Sequence, residues 1–314
     1  MKRLTALAPT LAPTLALVLS AAICATANGA KAQVIGEPAG SGGSPAVAEA
    51  RADAPGYTIY RPAKWPEKQL PLVLWGNGGC RNNGLSASHF LREIASHGYV
   101  VIANGAPREE RPVQASLPPA NGPRPTGAPP PRATPDETQV SQLLGAIDWV
   151  GASDLGPRVD TTRIAVMGHS CGGLQALAAA ADPRIDAVVA FNSGVYVRAG
   201  SGLSGVGIVK DDLKKLHTPV AYILGGPDDI AYPNGSDDVE RIDHVPVFHA
   251  NSLVGHGGTF SLANGGEYGR IGAAWLDWQL KGSKAAGAMF AGADCGLCKD
   301  KTWTIVRKQF PENP

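Results

Sequence analysis

No apolar run in this 314-residue chain is long enough to cross a bilayer, so a membrane-spanning helix is not expected. Lysines and arginines form neither a block nor a stripe, and the formal net charge is only +1, so nothing draws nucleic acid or an anionic membrane. The histidines and cysteines do not fall into a zinc-binding spacing, and no metal or cofactor is expected. No unit of roughly 20 to 50 residues recurs, which excludes a solenoid or propeller. What remains is a composition with 44% hydrophobic and 18% charged residues, suited to one globular α/β domain with a sizeable core.

The first 32 residues read as an export signal. Lys2 and Arg3 precede a short apolar run from Leu15 to Ile23, and small-x-small sites follow at Ala25-Thr26-Ala27 and Ala30-Lys31-Ala32. Pro9 and Pro13 argue against a membrane helix, and Ile23 before Cys24 argues against a lipid anchor. Removal of residues 1–32 would take Lys2, Arg3 and Lys31 from the 28 basic residues and none of the 27 acidic ones, leaving a charge of −2. A secreted or periplasmic monomer without a stable membrane anchor is the expectation. Residues 33–55, rich in Gly, Ala, Ser and Pro, read as a flexible leader.

From Gly56 the pattern turns regular. YTIYRP (57–62) alternates like an edge strand, and PLVLW (71–75), YVVIA (99–103), RIAVM (163–167), IDAVVAF (185–191), PVAYILG (219–225) and VPVFHA (245–250) read as buried strands. Between them lie helical patterns: about 87–97 capped by Ser86, one capped by Asp136 with Val140, Leu143, Leu144, Ile147 and Val150, LQALAAAA (174–181), and about 267–281. The alternation predicts a single doubly wound, mostly parallel sheet over 56–291. Residues 107–135, with 10 of the 26 prolines, read as an exposed extended loop, and 292–314 as a C-terminal tail.

The strongest chemical signal is Gly168-His169-Ser170-Cys171-Gly172, a G-x-S-x-G between a predicted strand and a predicted helix. In that setting Ser170 would sit on a tight turn at the carboxyl end of the sheet, as a nucleophile must. Serine needs a base, and His256, in the glycine-rich VGHGG beyond the last strand, is the expected one. His249 reads as a packed strand residue and His244 as lying at the opposite strand end. Two adjacent carboxylates after PVAYILGG compete for the acid role: Asp228, first off the turn, is the expected partner, with Asp229 as its rival. Asp237 and Asp238 read as solvated residues at a helix start. The oxyanion donors are expected from Cys171 and from Asn77 or Gly78, in the GNGGC turn after PLVLW.

Export would leave four cysteines. Cys295 and Cys298, close in sequence in an exported chain, are expected to be oxidised, and no thioredoxin-like strand precedes them to make this C-x-x-C a redox motif. Cys80 and Cys171 would meet if the oxyanion turn meets the elbow, either as a bridge that locks the two or as packed free thiols.

SHGYVVIA, RVDTTRIAVMGHSCGG and ILGGPDDIAYPN together make the chain resemble the secreted cutinase-like polyester hydrolases, relatives of dienelactone hydrolases and chlorophyllases. The resemblance implies an α/β-hydrolase fold, no cofactor, and a triad landing on Ser170, Asp228 and His256; segment 192–216 is too short for a large cap domain, so an open cleft is expected. The chain departs from that pattern with Asn77 in place of an aromatic residue in the oxyanion turn, Phe191-Asn192-Ser193 in place of a Trp after the strand, and Cys171 at the elbow. The expected activity is hydrolysis of carboxylic esters, small or polymeric, through an acyl-enzyme. An amidase or peptidase with the same triad, or a non-catalytic binding protein on the same fold, are the other readings.

Overall fold

A computed structural model describes Met1 and residues 32–117, 136–197 and 206–310. Residues 2–31, which hold most of the expected export signal, positions 118–135 of the proline-rich loop, residues 198–205 and residues 311–314 lie outside the described residues.

The chain runs through β1 (Gln33–Ala39), β2 (Ala46–Ala50), β3 (Tyr57–Pro62), β4 (Leu70–Gly76), α1 (Ser88–Ser96), β5 (Val100–Asn104), α2 (Val140–Ala152), β6 (Val159–His169) and α3 (Cys171–Ala179). It continues through β7 (Ala187–Phe191), β8 (Val220–Leu224), α4 (Tyr232–Arg241), β9 (Val247–Asn251), α5 (Gly266–Lys281) and β10 (Thr304–Lys308). All ten strands join one sheet in the order β1-β2-β3-β5-β4-β6-β7-β8-β9-β10. The six central strands, β5 to β9, are parallel; β1, β2 and β3 on one flank and β10 on the other are antiparallel.

Alternation along each central strand feeds two cores, because successive side chains point to opposite faces. Val73 and Trp75 of β4 pack with Phe90 and Ile94 of α1 and Ile271 and Trp275 of α5. Leu72 and Leu74 of the same strand pack with Leu143 and Val150 of α2, Leu174 of α3 and Val239 of α4. Burial on both faces is why these strands read as continuous apolar runs.

Four expectations need correction. Residues 33–50 are not a leader: β1 pairs with β2 and β2 with β3, and Ala46 and Ala48 are fully buried. Their small side chains carry little hydrophobic signal, so composition mimicked a linker. β3 is consequently an interior strand, flanked by β2 and β5. The segment after 291 is not a loose tail, since β10 pairs with β9 and Cys295, Leu297 and Trp303 are buried in the core. Helix starts also shift by a few residues. Ala87 precedes α1 while Ser86 Oγ bonds Asn77, and Gln139 rather than Asp136 opens α2, its N–H donating to Gln142 Oε1 at 2.6 Å.

The chain leaves β4 toward β5 on one side and then crosses to β6 on the other. Ligand sites in open α/β sheets form beyond the carboxyl ends of strands at such a reversal. The two ends that meet there are Gly76 and His169, so topology alone brings the GNGGC turn beside the GHSCG turn.

Candidate active site

β6 gives way to α3 through a single residue, Ser170, whose φ of 54° and ψ of −120° lie far from the favoured regions. Such a conformation costs on the order of 1–3 kcal/mol and survives only where neighbours enforce it. Here Ser170 N–H donates to Phe191 O (3.0 Å), and Ser170 O accepts from Ser193 Oγ (2.7 Å) and Gly173 N–H (2.9 Å). The flanking glycines permit the close approach of strand and helix. A Cβ on Gly172 would stand 2.0 Å from the Gly76 carbonyl carbon, and one on Gly168 2.1 Å from Gly172 O. The elbow therefore lifts the Ser170 hydroxyl off the sheet edge.

His256 reaches that hydroxyl. Ser170 Oγ–H lies 2.9 Å from His256 Nε2, and His256 Nδ1–H donates to Asp229 Oδ1 at 2.6 Å. Asp229 is 1% exposed, and every other group around its carboxylate is a donor. Asn192 Nδ2 (2.8 Å) and Gly225 N–H (3.1 Å) meet Oδ2, and Ala231 N–H (2.9 Å) meets Oδ1. Burial pushes this carboxyl's pKa up, but His256 and the two backbone donors outweigh it and hold it below the ordinary carboxylate range. The arrangement can move a proton from Ser170 to His256 while Asp229 holds the imidazole in one tautomer and orientation.

Asp228, the expected partner, is not the residue at His256. The chain turns tightly after β8, with Asp229 N–H donating to Gly226 O at 2.8 Å and Gly226 at a φ of +89°. In that turn Asp228 occupies the corner and is exposed, whereas Asp229 folds back under the sheet edge. Counting the first acid after the strand missed the turn. The paired glycines Gly225-Gly226 signal a reversal that delays the inward-facing position by one residue.

The turn after β4 is a short 3-10 segment, Gly78–Cys80, preceded by Asn77. The Asn77 side chain is fully buried and faces inward. Its Oδ1 accepts from Trp75 Nε1 (2.9 Å) and Ser86 Oγ (3.0 Å), while Nδ2 donates to Arg81 O (3.1 Å) and to Asn104 O. Asn77 thus braces the turn, and only main-chain N–H groups of this turn remain to face a ligand. Cys171 opens α3, where first-turn N–H groups have no intrahelical acceptor.

Cys80 and Cys171 form a disulfide across 91 residues, tying this turn to the start of α3, and Cys295 pairs with Cys298. Chain entropy makes the two bonds unequal, since a loop of this length contributes roughly 4–5 kcal/mol and a three-residue separation far less. The paired replacement Cys80→Ala/Cys171→Ala is therefore expected to lower Tm by on the order of 10 °C. Cys295→Ala/Cys298→Ala should cost clearly less. Thermal melts of both variants check the ranking, and a reversal would mean that local packing outweighs loop closure.

Three residues that sequence reasoning missed surround the hydrogen-bonded chain. Asn192, at a φ of 45° just after β7, bonds both Asp229 and Gly255 O (3.0 Å). Ser193 supports the elbow, and His169 Nε2–H donates to His256 O at 2.8 Å. A usable signal was present in their position, each at or just past the carboxyl end of a central strand. Among the residues set aside, His249 is buried in β9, and burial lowers its pKa to about 4. His244 Nε2 donates to Leu216 O (2.9 Å) near the other strand end. Asp238 is not solvated: it is fully buried within α4, where it accepts from Val195 N–H (2.7 Å) and pairs with Lys210 (2.6 Å). Asp237 is a partly buried ion-pair partner of Lys210 and Arg241.

Among the described residues no cluster of His, Cys, Asp and Glu could hold a metal, and no helix is long and apolar enough to cross a membrane. No protein-family model and no curated protein matches this chain.

Proposed function

We propose that this protein is a secreted serine hydrolase of the α/β-hydrolase type that cleaves carboxylic esters. The observation that carries the reading is the unbroken hydrogen-bonded chain from buried Asp229 through His256 to Ser170, set on a turn at the sheet's carboxyl edge. In the proposed reaction Ser170 Oγ attacks the ester carbonyl as His256 Nε2 takes its proton. The N–H groups of Cys171 and of Gly78 or Asn77 stabilise the tetrahedral oxyanion. His256 then gives the proton to the departing alkoxide, leaving an acyl group on Ser170. Water, activated by the same imidazole, releases the acid.

The two disulfides fit an oxidising compartment, in line with the export signal. The described part of the proline-rich loop supports the expectation that this loop runs close to the candidate site. Gln114 N–H donates to Ser261 O at 2.8 Å, and Ser261 Oγ meets Gln114 Oε1 at 2.7 Å, so the loop lies against the segment that follows His256. Asn77 faces inward and Asn192 is engaged with Asp229, so neither offers the aromatic surface of the polyester hydrolases that the sequence resembles. Small soluble esters are accordingly the first substrates to try.

A fluorophosphonate probe tests the assignment directly. The expected outcome is stoichiometric labelling on the peptide containing Ser170, with loss of hydrolysis across a chain-length series of nitrophenyl esters. An unlabelled protein that hydrolyses none of the series would instead be a binding protein on this fold. Labelling with turnover of anilides but not esters would make it an amidase.

A further inference from the structure

His256 is carried by Val254-Gly255-His256-Gly257-Gly258, a segment with φ of +69° at Gly255 and +55° at Gly258. Glycines give a chain large conformational freedom. Yet the imidazole must stay within hydrogen-bond distance of Ser170 and Asp229 at once. Among the described residues, main-chain bonds tie the loop through Val254 N–H to Ser252 O (2.9 Å), Gly255 N–H to Gly225 O (2.7 Å) and Gly258 N–H to Gly255 O (3.1 Å), and none of them holds the His256 carbonyl. Two side chains complete the attachment. Asn192 Nδ2 donates to Gly255 O at 3.0 Å, and His169 Nε2–H to His256 O at 2.8 Å.

These two carbonyls belong to the peptide planes immediately before and after the His256 Cα. Anchoring both planes fixes φ and ψ of His256, and with them the direction in which its side chain leaves the backbone. We infer that His169 and Asn192 are positioning residues that clamp the main chain on either side of His256 and so hold its imidazole over Ser170. Each clamp residue is itself tied to another member of the hydrogen-bonded chain. His169 directly precedes Ser170 on the elbow, and Asn192 also donates to Asp229 Oδ2.

The His169 ring is built in rather than draped over the site. A Cβ on Gly78 would come 2.4 Å from its Nδ1, and its centroid lies 5.0 Å from that of Phe260. Burial, with the neighbouring His256 charge, lowers its pKa to about 4, so at neutral pH the ring carries one N–H. The bond to His256 O places that hydrogen on Nε2. Asn192 is fully buried, and its φ of 45° is one that asparagine tolerates better than most residues.

The inference rests on the proposed role of His256 in acyl transfer, but the order of the loop can be measured without it. His169→Gln keeps a donor of similar reach, His169→Asn shortens it out of reach, and Asn192→Gly removes the amide without straining the backbone. Steady-state kinetics on a nitrophenyl ester and amide hydrogen exchange across 253–259 are read in each, with exchange of β6 and β7 amides reporting global stability. His169→Asn is expected to lower kcat by on the order of a hundredfold with KM nearly unchanged, as a misplaced base does. It should also speed exchange of the loop amides selectively. Asn192→Gly should speed the same amides, and His169→Gln should recover most of both properties.

Unaltered loop exchange in both His169→Asn and Asn192→Gly would overturn the clamp. So would equal losses in the Gln and Asn variants, which would reduce His169 to packing, or a KM effect alone, which would make it a substrate contact. Failure of wild-type labelling by fluorophosphonate would remove the hydrolase reading and leave the exchange result standing.

Discussion

Ser170→Ala is expected to cut ester turnover by about 10³-fold or more while the protein stays folded. The substitution removes one atom, Oγ, whose partner is His256 Nε2 at 2.9 Å. The bonds that hold the elbow are untouched, because Ser170 N–H to Phe191 O and Ser193 Oγ to Ser170 O use only the main chain of residue 170. His256 is partly exposed, so its Nε2 finds water once the hydroxyl is gone and no buried group is left unpaired. The change in stability should therefore stay within about 1 kcal/mol. No neighbour is placed to take over: Cys171 is committed to a disulfide, and the Ser193 hydroxyl donates to Ser170 O. Initial rates on a nitrophenyl ester, with circular dichroism and a thermal melt, check both halves. Retention of more than about a hundredth of wild-type activity would point to another nucleophile and end the Ser170 assignment.

The sheet, the elbow and the place of His256 were legible in the sequence for one reason: each is written in local pattern. Central strands buried on both faces are unbroken apolar runs, and the strand-to-helix turn at Ser170 demands glycines that fall at fixed offsets. His256 stood out because a histidine among three glycines past the last parallel strand has no packing role. The flanking strands escaped notice because β1 and β2 hold only three large aliphatic residues, Val34, Ile35 and Val47, among small and polar ones, and pairing more than side-chain hydrophobicity places them. β10 is short and half-exposed and carries its signal in its partner β9. The residues around the site failed for a different reason. Asn192 and His169 act through bonds to carbonyls 63 and 87 residues away, and no local pattern encodes contacts of that range. Cys80 and Cys171 were equally distant. Their proximity could be expected because an oxyanion turn must meet the elbow, but the sequence left a bridge and two packed free thiols equally open, and the structure shows the bridge.

The second large effect separates the two neighbouring carboxylates, and it follows from what surrounds Asp229. Four donors converge on its two oxygens: His256 Nδ1–H and Ala231 N–H on Oδ1, Asn192 Nδ2 and Gly225 N–H on Oδ2. An amide offers only one acceptor oxygen. In Asp229→Asn, whichever way the amide turns, its NH₂ faces two donors. If it faces His256, the imidazole adopts the wrong tautomer and Nε2 can no longer take the Ser170 proton. If it faces Asn192 and Gly225, buried donors lose their acceptor at about 1–3 kcal/mol. Turnover is expected to fall on the order of 10³- to 10⁴-fold.

Asp228→Asn, at the exposed corner of the same turn, should stay within about twofold of wild type in rate and about 0.5 kcal/mol in stability. The pH dependence of stability adds a second readout. A carboxyl held below its ordinary value in the fold stabilises the protein above its unfolded pKa of about 4, and that contribution is lost as pH falls through the lower folded value. The stability difference between wild type and Asp229→Asn should accordingly be full near neutrality and shrink below about pH 4. A severe rate defect in Asp228→Asn beside a mild one in Asp229→Asn would transfer the acid role to the exposed residue and contradict the geometry of the turn.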